Sequence, residues 1–349
     1  MNLRSADYLL TRFAHAMPGA MKFLGDIETD MLRDRLAAIP IDRPVFIAGV
    51  ARSGTTLLLN LLSQLPHVAT HRYSDFPFLF IPVAWNRLQE RMGASGPPVE
   101  RPHQDRVQIT RDSPEAFEEP LWAHFFDAIH DPDALHRLTA EDRHPAFDEF
   151  FLEHLRKVLM LRVGTRYVSK GNYNITRIEY LADLLPDARF LVPVRHPVSQ
   201  VESLLRQHRL FSEYSATDRR VPRYLRAAGH FEFGPQRVPV NLDRMNARRI
   251  ANSWKAGEDA AGYAYLWNSV YAHGRRLKCQ RELRTRIEFV RYEDICGNAP
   301  RALRRIARHC ELEDGPAELL AKLPDIPRRP AGASLLSAEE CDRIWKITA

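Results

Sequence analysis

Apolar positions along this chain follow two rhythms. Leu9, Leu10, Phe13 and Met17 recur at helical spacing, as do Met31, Leu32 and Leu36, so residues 1–40 are predicted to form a helical N-terminal extension. Pro44-Val-Phe-Ile-Ala-Gly-Val50 is then a short unbroken apolar run ending in glycine, the pattern of a strand buried on both faces. Arg189-Phe-Leu-Val-Pro-Val-Arg195 and Arg286-Ile-Glu-Phe-Val-Arg291 are two more such strands, and Tyr167-Val-Ser169 is a shorter candidate. Helical patterns fill Thr56 to Leu65, Ala146 to Leu161, Arg177 to Leu185, Pro197 to Arg206, most of Ala247 to Arg281, and Pro300 to Cys310. Asp112-Ser-Pro-Glu115 predicts one further helix, with Ser113 as N-cap and Pro114 at its first position. Gly93 to Pro102 reads as a loop, and the prolines, glycines and scattered charges of residues 209–245 predict a long loop excursion over a site. Strands alternating with helices imply an α/β fold, three layers α/β/α around a central parallel sheet, in one domain spanning 1–349.

Composition narrows the class. Hydrophobic residues make up 45% of the 349 and charged residues 27%, which excludes a disordered, collagenous or fibrous chain. No apolar run approaches the roughly 20 residues of a membrane span. Arg4, Asp7, Arg12, Asp26, Glu28 and Asp30 interrupt the start, so no signal-peptide core is expected. Cys279, Cys296, Cys310 and Cys341 are widely spaced, without a C-x-x-C pair, and read as reduced thiols of a cytoplasmic protein with no metal centre. The formal charge is +6, and with only seven lysines arginine supplies most of the cations. Coding bias alone produces such an excess, but arginine also binds phosphate in a bidentate fork. No basic stripe with interleaved aromatics is present, so nucleic acid is not an expected partner.

The strongest chemical signal is Gly49-Val-Ala-Arg-Ser-Gly54-Thr-Thr56, which follows a strand and opens a helix. Its two glycines share the spacing of G-x-x-x-x-G-K-[ST]. Backbone N–H groups of residues 52–56 would converge on an anion at the helix N-terminus, with the hydroxyls of Ser53, Thr55 and Thr56 as further donors around Gly54. Position 55 holds threonine where a nucleoside triphosphatase has lysine, and the cation has moved to Arg52. The β/γ-phosphate clamp of ATP chemistry is therefore missing. A second anion site is expected two strands on. There Arg195 ends a strand, and Ser199 and Ser203, four apart, share a helical face near the helix start. Together the two sites suit one nucleotide with phosphates at two ends. A nucleotide kinase or NTPase with a degenerate loop, and a non-catalytic nucleotide- or polyanion-binding protein, are the competing classes.

Phe46-Ile-Ala-Gly-Val-Ala-Arg-Ser-Gly-Thr-Thr-Leu57 resembles the 5′-phosphosulfate loop of sulfotransferases that use 3′-phosphoadenosine 5′-phosphosulfate (PAPS). Leu185 to Pro197 resembles that family's 3′-phosphate strand, with Arg195 and then Ser203, and Phe289-Val-Arg-Tyr-Glu-Asp294 resembles a segment of its Golgi-type and bacterial branches. The likeness runs from about residue 44 to about 311. It implies the P-loop NTPase-like sulfotransferase fold. It also implies PAPS as donor, adenosine 3′,5′-bisphosphate as product, no metal, and in-line transfer to a hydroxyl or amine of a small-molecule, lipid, sugar or peptide acceptor. Arg52 would stabilise the leaving phosphate, and Lys170 would touch the transferring sulfonate. Leu57 departs from the adenine-stacking tryptophan of the cytosolic enzymes, and Asn172 stands where those enzymes carry a histidine base. Asp75 and His71 are therefore the expected candidates for the base, with Glu115, Glu118 and Glu119 behind them.

Overall fold

The unbroken apolar run Val45–Ala48 (β1) forms the central strand of a five-stranded sheet, and every residue of it is buried. The computed structural model that shows this describes residues 3–93, 96–312 and 334–349. β1 pairs with Arg166–Gly171 (β5) on one side and Arg189–Val194 (β6) on the other. Val68–Ala69 (β2) extends the sheet beyond β5, and Ile287–Arg291 (β7) extends it beyond β6. Every pairing in this sheet is parallel. A separate antiparallel ladder, Val99–Glu100 (β3) against Gln108–Ile109 (β4), holds residues 101–107 at its tip.

Alternation along β1 explains why both faces are covered. Val45 and Ile47 face a layer built by Leu58 and Leu61 of the helix Thr55–Leu62 and by Leu303 and Ile306 of the helix Ala299–Cys310. Phe46 and Ala48 face the other layer. Its helices include Pro145–Arg162, which contributes Phe147 and Phe151, and Ile178–Leu184, which contributes Tyr180. Pro197–Thr217 adds Leu204, and Asp259–Cys279 adds Val270. The result is a three-layer α/β/α architecture with a parallel sheet. Two helices, Ser5–Ala16 and Pro18–Ala37, precede it, and Lys157 ties the second to the body through the carbonyl of Gly25 at 2.9 Å. Among the described residues no helix is long and apolar enough to cross a membrane.

Two expectations about secondary structure are corrected. No helix starts at Ser113; the helix there is Glu119–Phe125. Ser113 Oγ instead accepts the N–H of Thr110 at 2.9 Å, a local turn that competes with capping. The chain then runs along the 71–73 segment, with Tyr73 N–H bonded to Ser113 O and Glu115 N–H to His71 O. The excursion at 209–245 is also less irregular than expected. The helix that starts at Pro197 continues to Thr217, a second helix covers Val221–Ala227, and residues 228–243 contain no helix or strand.

Candidate active site

The carboxyl ends of β1, β5 and β6 lie side by side, with β1 between the other two, the place where a parallel sheet of this kind forms a ligand crevice. The loop 49–54 emerges from β1. Lys170 sits near the end of β5, and Arg195 follows β6. Two loop residues hold left-handed backbone: Arg52 at φ 68° and Gly54 at φ 106°. A non-glycine residue in that region is a local cost that the surrounding contacts maintain. Glycine is required at 54 on a second count, since a Cβ there would lie 2.8 Å from the ring of Tyr292. No side chain caps the helix that follows, so its first N–H groups are free to face an anion.

Around this loop the structure gathers cations, hydroxyls and two internal carboxylates. Arg52 Nε donates to Ser203 Oγ at 3.1 Å, and its Nη1 donates to Asp105 at 3.0 Å. Asp105 comes from the tip of the β3–β4 ladder and also takes two bonds from Arg101, at 2.8 and 2.5 Å. Burial pushes the Asp105 carboxyl up, but the Arg101 and Arg52 guanidiniums outweigh that and hold it well below the usual range. Lys170 Nζ donates to Glu115 at 2.7 Å and to Thr56 Oγ1 at 3.3 Å, and Arg101 reaches the same hydroxyl at 3.4 Å. The site thus holds an anion of its own, Asp105, between two arginines beside a helix N-terminus. A sulfonate or phosphate carries more acceptor oxygens than a carboxylate for such guanidinium forks.

The second expected anion site is arranged differently from the simple pattern. The Arg195 guanidinium lies 4.8 Å over the Tyr292 ring and donates to the carbonyl of Arg52 at 3.5 Å. Ser199 is half-buried on the same side of its helix, whereas Ser203 is buried and engaged with Arg52. Glu293 accepts the His196 N–H at 2.8 Å, which fastens the segment after β7 to the start of the Pro197–Thr217 helix. Gln200 binds the loop itself: its Nε2 donates to Ala51 O at 3.1 Å, while Oε1 accepts from Trp267 Nε1 at 3.1 Å.

The structure does not bring His71 and Asp75 to this crevice. Asp75 is 0% exposed. It accepts from Asn86 at 2.8 Å, from Arg72 N–H at 2.9 Å, from His71 Nδ1 at 3.1 Å, and from the Arg162 guanidinium. His71 is closed on its other edge by His154, Nε2 to Nε2 at 3.0 Å. Asp75 ends the short 3₁₀ turn Tyr73–Asp75, and the next helix starts at Pro82. Glu119 is clamped by Arg177 at 2.5 and 2.9 Å, and Glu118 accepts the Tyr167 hydroxyl at 2.5 Å. Of the acidic candidates only Glu115 joins the cluster, through Lys170 and through the Tyr73 hydroxyl at 2.7 Å.

Arg101 and Asp105 escaped sequence reading because they lie in a stretch whose Pro, Gly and charges signal only a loop. Gln200 carried no signal beyond following Ser199 on a helix.

Residues 44–250 match the sequence profile described as the Sulfotransferase family. Among solved structures, sulfotransferase STF9 from Mycobacterium avium is similar at 16% identity, covering 92% of this chain and 79% of that one, with a TM-score of 0.51. Sulfotransferase STF1 from Mycobacterium tuberculosis H37Rv aligns at 14% identity over 86% of this chain and 76% of that one, with a TM-score of 0.46. None of the curated proteins matches the sequence. The STF9 likeness is one of fold, and the profile match covers more than half of the residues, including the loop, Lys170, Arg195 and Ser203; on that match, the chain belongs to the sulfotransferase family.

Proposed function

We propose that this protein moves a sulfuryl group from PAPS to a hydroxyl or amine of an acceptor. The observation that carries this reading is the cluster of Arg52, Arg101, Lys170 and Thr56 around the internal carboxylates Asp105 and Glu115 at the end of β1. When bound there, PAPS supplies the activated sulfonate and an adenosine bisphosphate leaving group. Residues 54–56 hold the 5′ end through backbone N–H groups and hydroxyls, the Ser53 N–H being donated to Val50 O, and Arg52 binds the phosphate end with Asp105 displaced. Arg195 and Ser199 hold the 3′-phosphate, with Ser203 keeping Arg52 in register. Lys170, fixed between Thr56 and Glu115, stabilises charge on the sulfonate side. Arginine cannot give up a proton here, so Arg52 acts by charge and orientation alone. The reading takes the chain as one domain in the cytoplasm.

Adenosine 3′,5′-bisphosphate is expected to raise the melting temperature, because it binds the folded state only. No shift at millimolar ligand, or a larger shift with ATP, sinks the proposal. Arg195→Ala is expected to weaken that ligand by roughly 2–4 kcal/mol, as for a lost charged hydrogen-bond pair. Calorimetric titration should also show the preference for the bisphosphate over adenosine 5′-monophosphate disappearing. An unchanged preference removes Arg195 from the site.

A further inference from the structure

Residues 228–243 bring a second group of titratable side chains to the same end of the sheet. Asn172, two residues after Lys170, donates through Nδ2 to Glu232 Oε1 at 2.5 Å. Glu232 Oε2 is buried, makes no hydrogen bond of its own, and lies 3.5 Å from His230 Nδ1. The His230 side chain is 27% exposed, and among the described residues its Nε2 has no hydrogen-bond partner. The flanking residues set this geometry. Phe231 is buried with its ring stacked on His130 at 3.9 Å, and its N–H bonds to the Tyr173 hydroxyl at 3.2 Å. Phe233 is buried against Phe211 at 5.7 Å. Gly229, at φ 78° and with no room for a Cβ beside Glu119, turns the chain out of the helix Val221–Ala227 just before the histidine.

His230 also lies near the cluster at the glycine loop, close enough for Glu115 and Lys170 to act on its charge. Its ring centroid is 6.4 Å from that of His103, which Gln207 holds at 2.7 Å and which senses the charges of Arg101 and Arg52. Glu232, Glu115 and Lys170 are the charged groups that act on His230 itself. Burial lowers its affinity for a proton, but the carboxylate of Glu232 beside it and the charge of Glu115 outweigh burial and raise its pKa above the ordinary value.

We infer that His230, oriented by Glu232 and Asn172, is the general base that takes the acceptor's proton. The inference rests on the sulfotransfer reading above. Glu232 Oε2, 3.5 Å from Nδ1, favours the proton on that nitrogen and so leaves the Nε2 lone pair free for the acceptor O–H. As the acceptor oxygen forms its bond to sulfur, the sulfur–oxygen bond to the 5′-phosphate breaks. That electron pair leaves with adenosine 3′,5′-bisphosphate, and the acceptor proton ends on His230 Nε2. Asn172 thus serves as a clamp on the carboxylate beside the histidine.

The test compares wild type, His230→Gln and Glu232→Gln. Imidazole ¹⁵N spectra should show one histidine, absent from His230→Gln, protonated at Nδ1 when neutral and titrating above the ordinary 6.5. Glu232→Gln should lower that midpoint. Release of adenosine 3′,5′-bisphosphate from PAPS, with water as acceptor, should rise with pH through the same midpoint, because the base acts unprotonated. His230→Gln should lower that release by roughly 100-fold or more, with bisphosphate affinity within about twofold of wild type. A His230 that does not titrate between pH 5 and 9, or release unchanged in His230→Gln, overturns the assignment. A loss confined to a Glu115→Gln variant moves the base there and overturns it equally. Wild type that fails to bind the bisphosphate, or that releases it no faster than buffer, overturns the donor reading instead, while the spectra still report on the dyad.

Discussion

Arg52→Ala is expected to lower PAPS turnover by about 10²–10³-fold, with a much smaller loss of adenosine 3′,5′-bisphosphate affinity. The reasoning starts from how the side chain is held. Its backbone sits at φ 68°, Nε is fixed by Ser203, and Nη1 is engaged by Asp105. A guanidinium fixed in this way does not have to reorganise when negative charge grows on the leaving oxygen, so its effect falls on the transition state rather than on ground-state binding. Burial lowers the proton affinity of Arg52, yet an arginine stays charged at any working pH, so the loss should be independent of pH. Arg52→Lys should recover part of the rate, since it restores the charge but not the fork. Single-turnover rates and calorimetric binding on the same proteins separate the two effects. Turnover within a few-fold of wild type would show that Arg52 serves only to shape the loop.

Much of this architecture is legible because burial on both faces of a parallel sheet leaves an unmistakable pattern. Val45–Ala48 and Arg189–Val194 are apolar runs that no amphipathic helix would show, and both are interior strands. Val68–Ala69 is two residues long and sits at an edge, too short for any periodicity to reveal. The helix expected at Ser113 failed for a different reason. Serine followed by proline is a helix-start signal, but Ser113 closes a turn onto Thr110 and the chain pairs with the 71–73 segment instead. Local chemistry there was ambiguous, and a long-range pairing decided it.

The site divides along the same line. The glycine loop is local in sequence, and its meaning follows from strand, glycine and helix in succession. The groups that act on it from elsewhere are not local. Asp105 reaches Arg52 across 53 positions, and Asn172 reaches Glu232 across 60. Nothing in the composition of residues 96–110 or 228–243 marks these side chains. Asp75 illustrates the converse. It is the first candidate for the base by residue type, but residue type carries no information on burial, and Asp75 faces inward onto Arg162.

Asp75→Ala is accordingly expected to act on stability and not on the chemical step. Removing the carboxylate leaves Arg162, whose side chain is 7% exposed, without its charge partner, and strips His71, Asn86 and the Arg72 N–H of an acceptor. Breaking a buried, hydrogen-bonded ion pair from one side costs about 3–5 kcal/mol. With an unfolding entropy of about 2.1 cal/mol/K per residue, a chain of this length should lose roughly 4–7 °C in Tm. Bisphosphate affinity and turnover measured well below the new Tm should match wild type. The effect also has a direction in pH. Burial pushes the Asp75 carboxyl up, but His71, Arg162 and the Arg72 N–H outweigh it and hold it well below the unfolded value. A carboxyl whose folded pKa is depressed contributes its stability above the unfolded value, about 3.9, and loses it as pH falls towards the folded one. The Tm gap between wild type and Asp75→Ala should therefore be constant from pH 8 to about 5 and close progressively below pH 4. A full loss of turnover in a variant that keeps its Tm would instead place Asp75 in the reaction, and would require the 71–75 turn to open during catalysis.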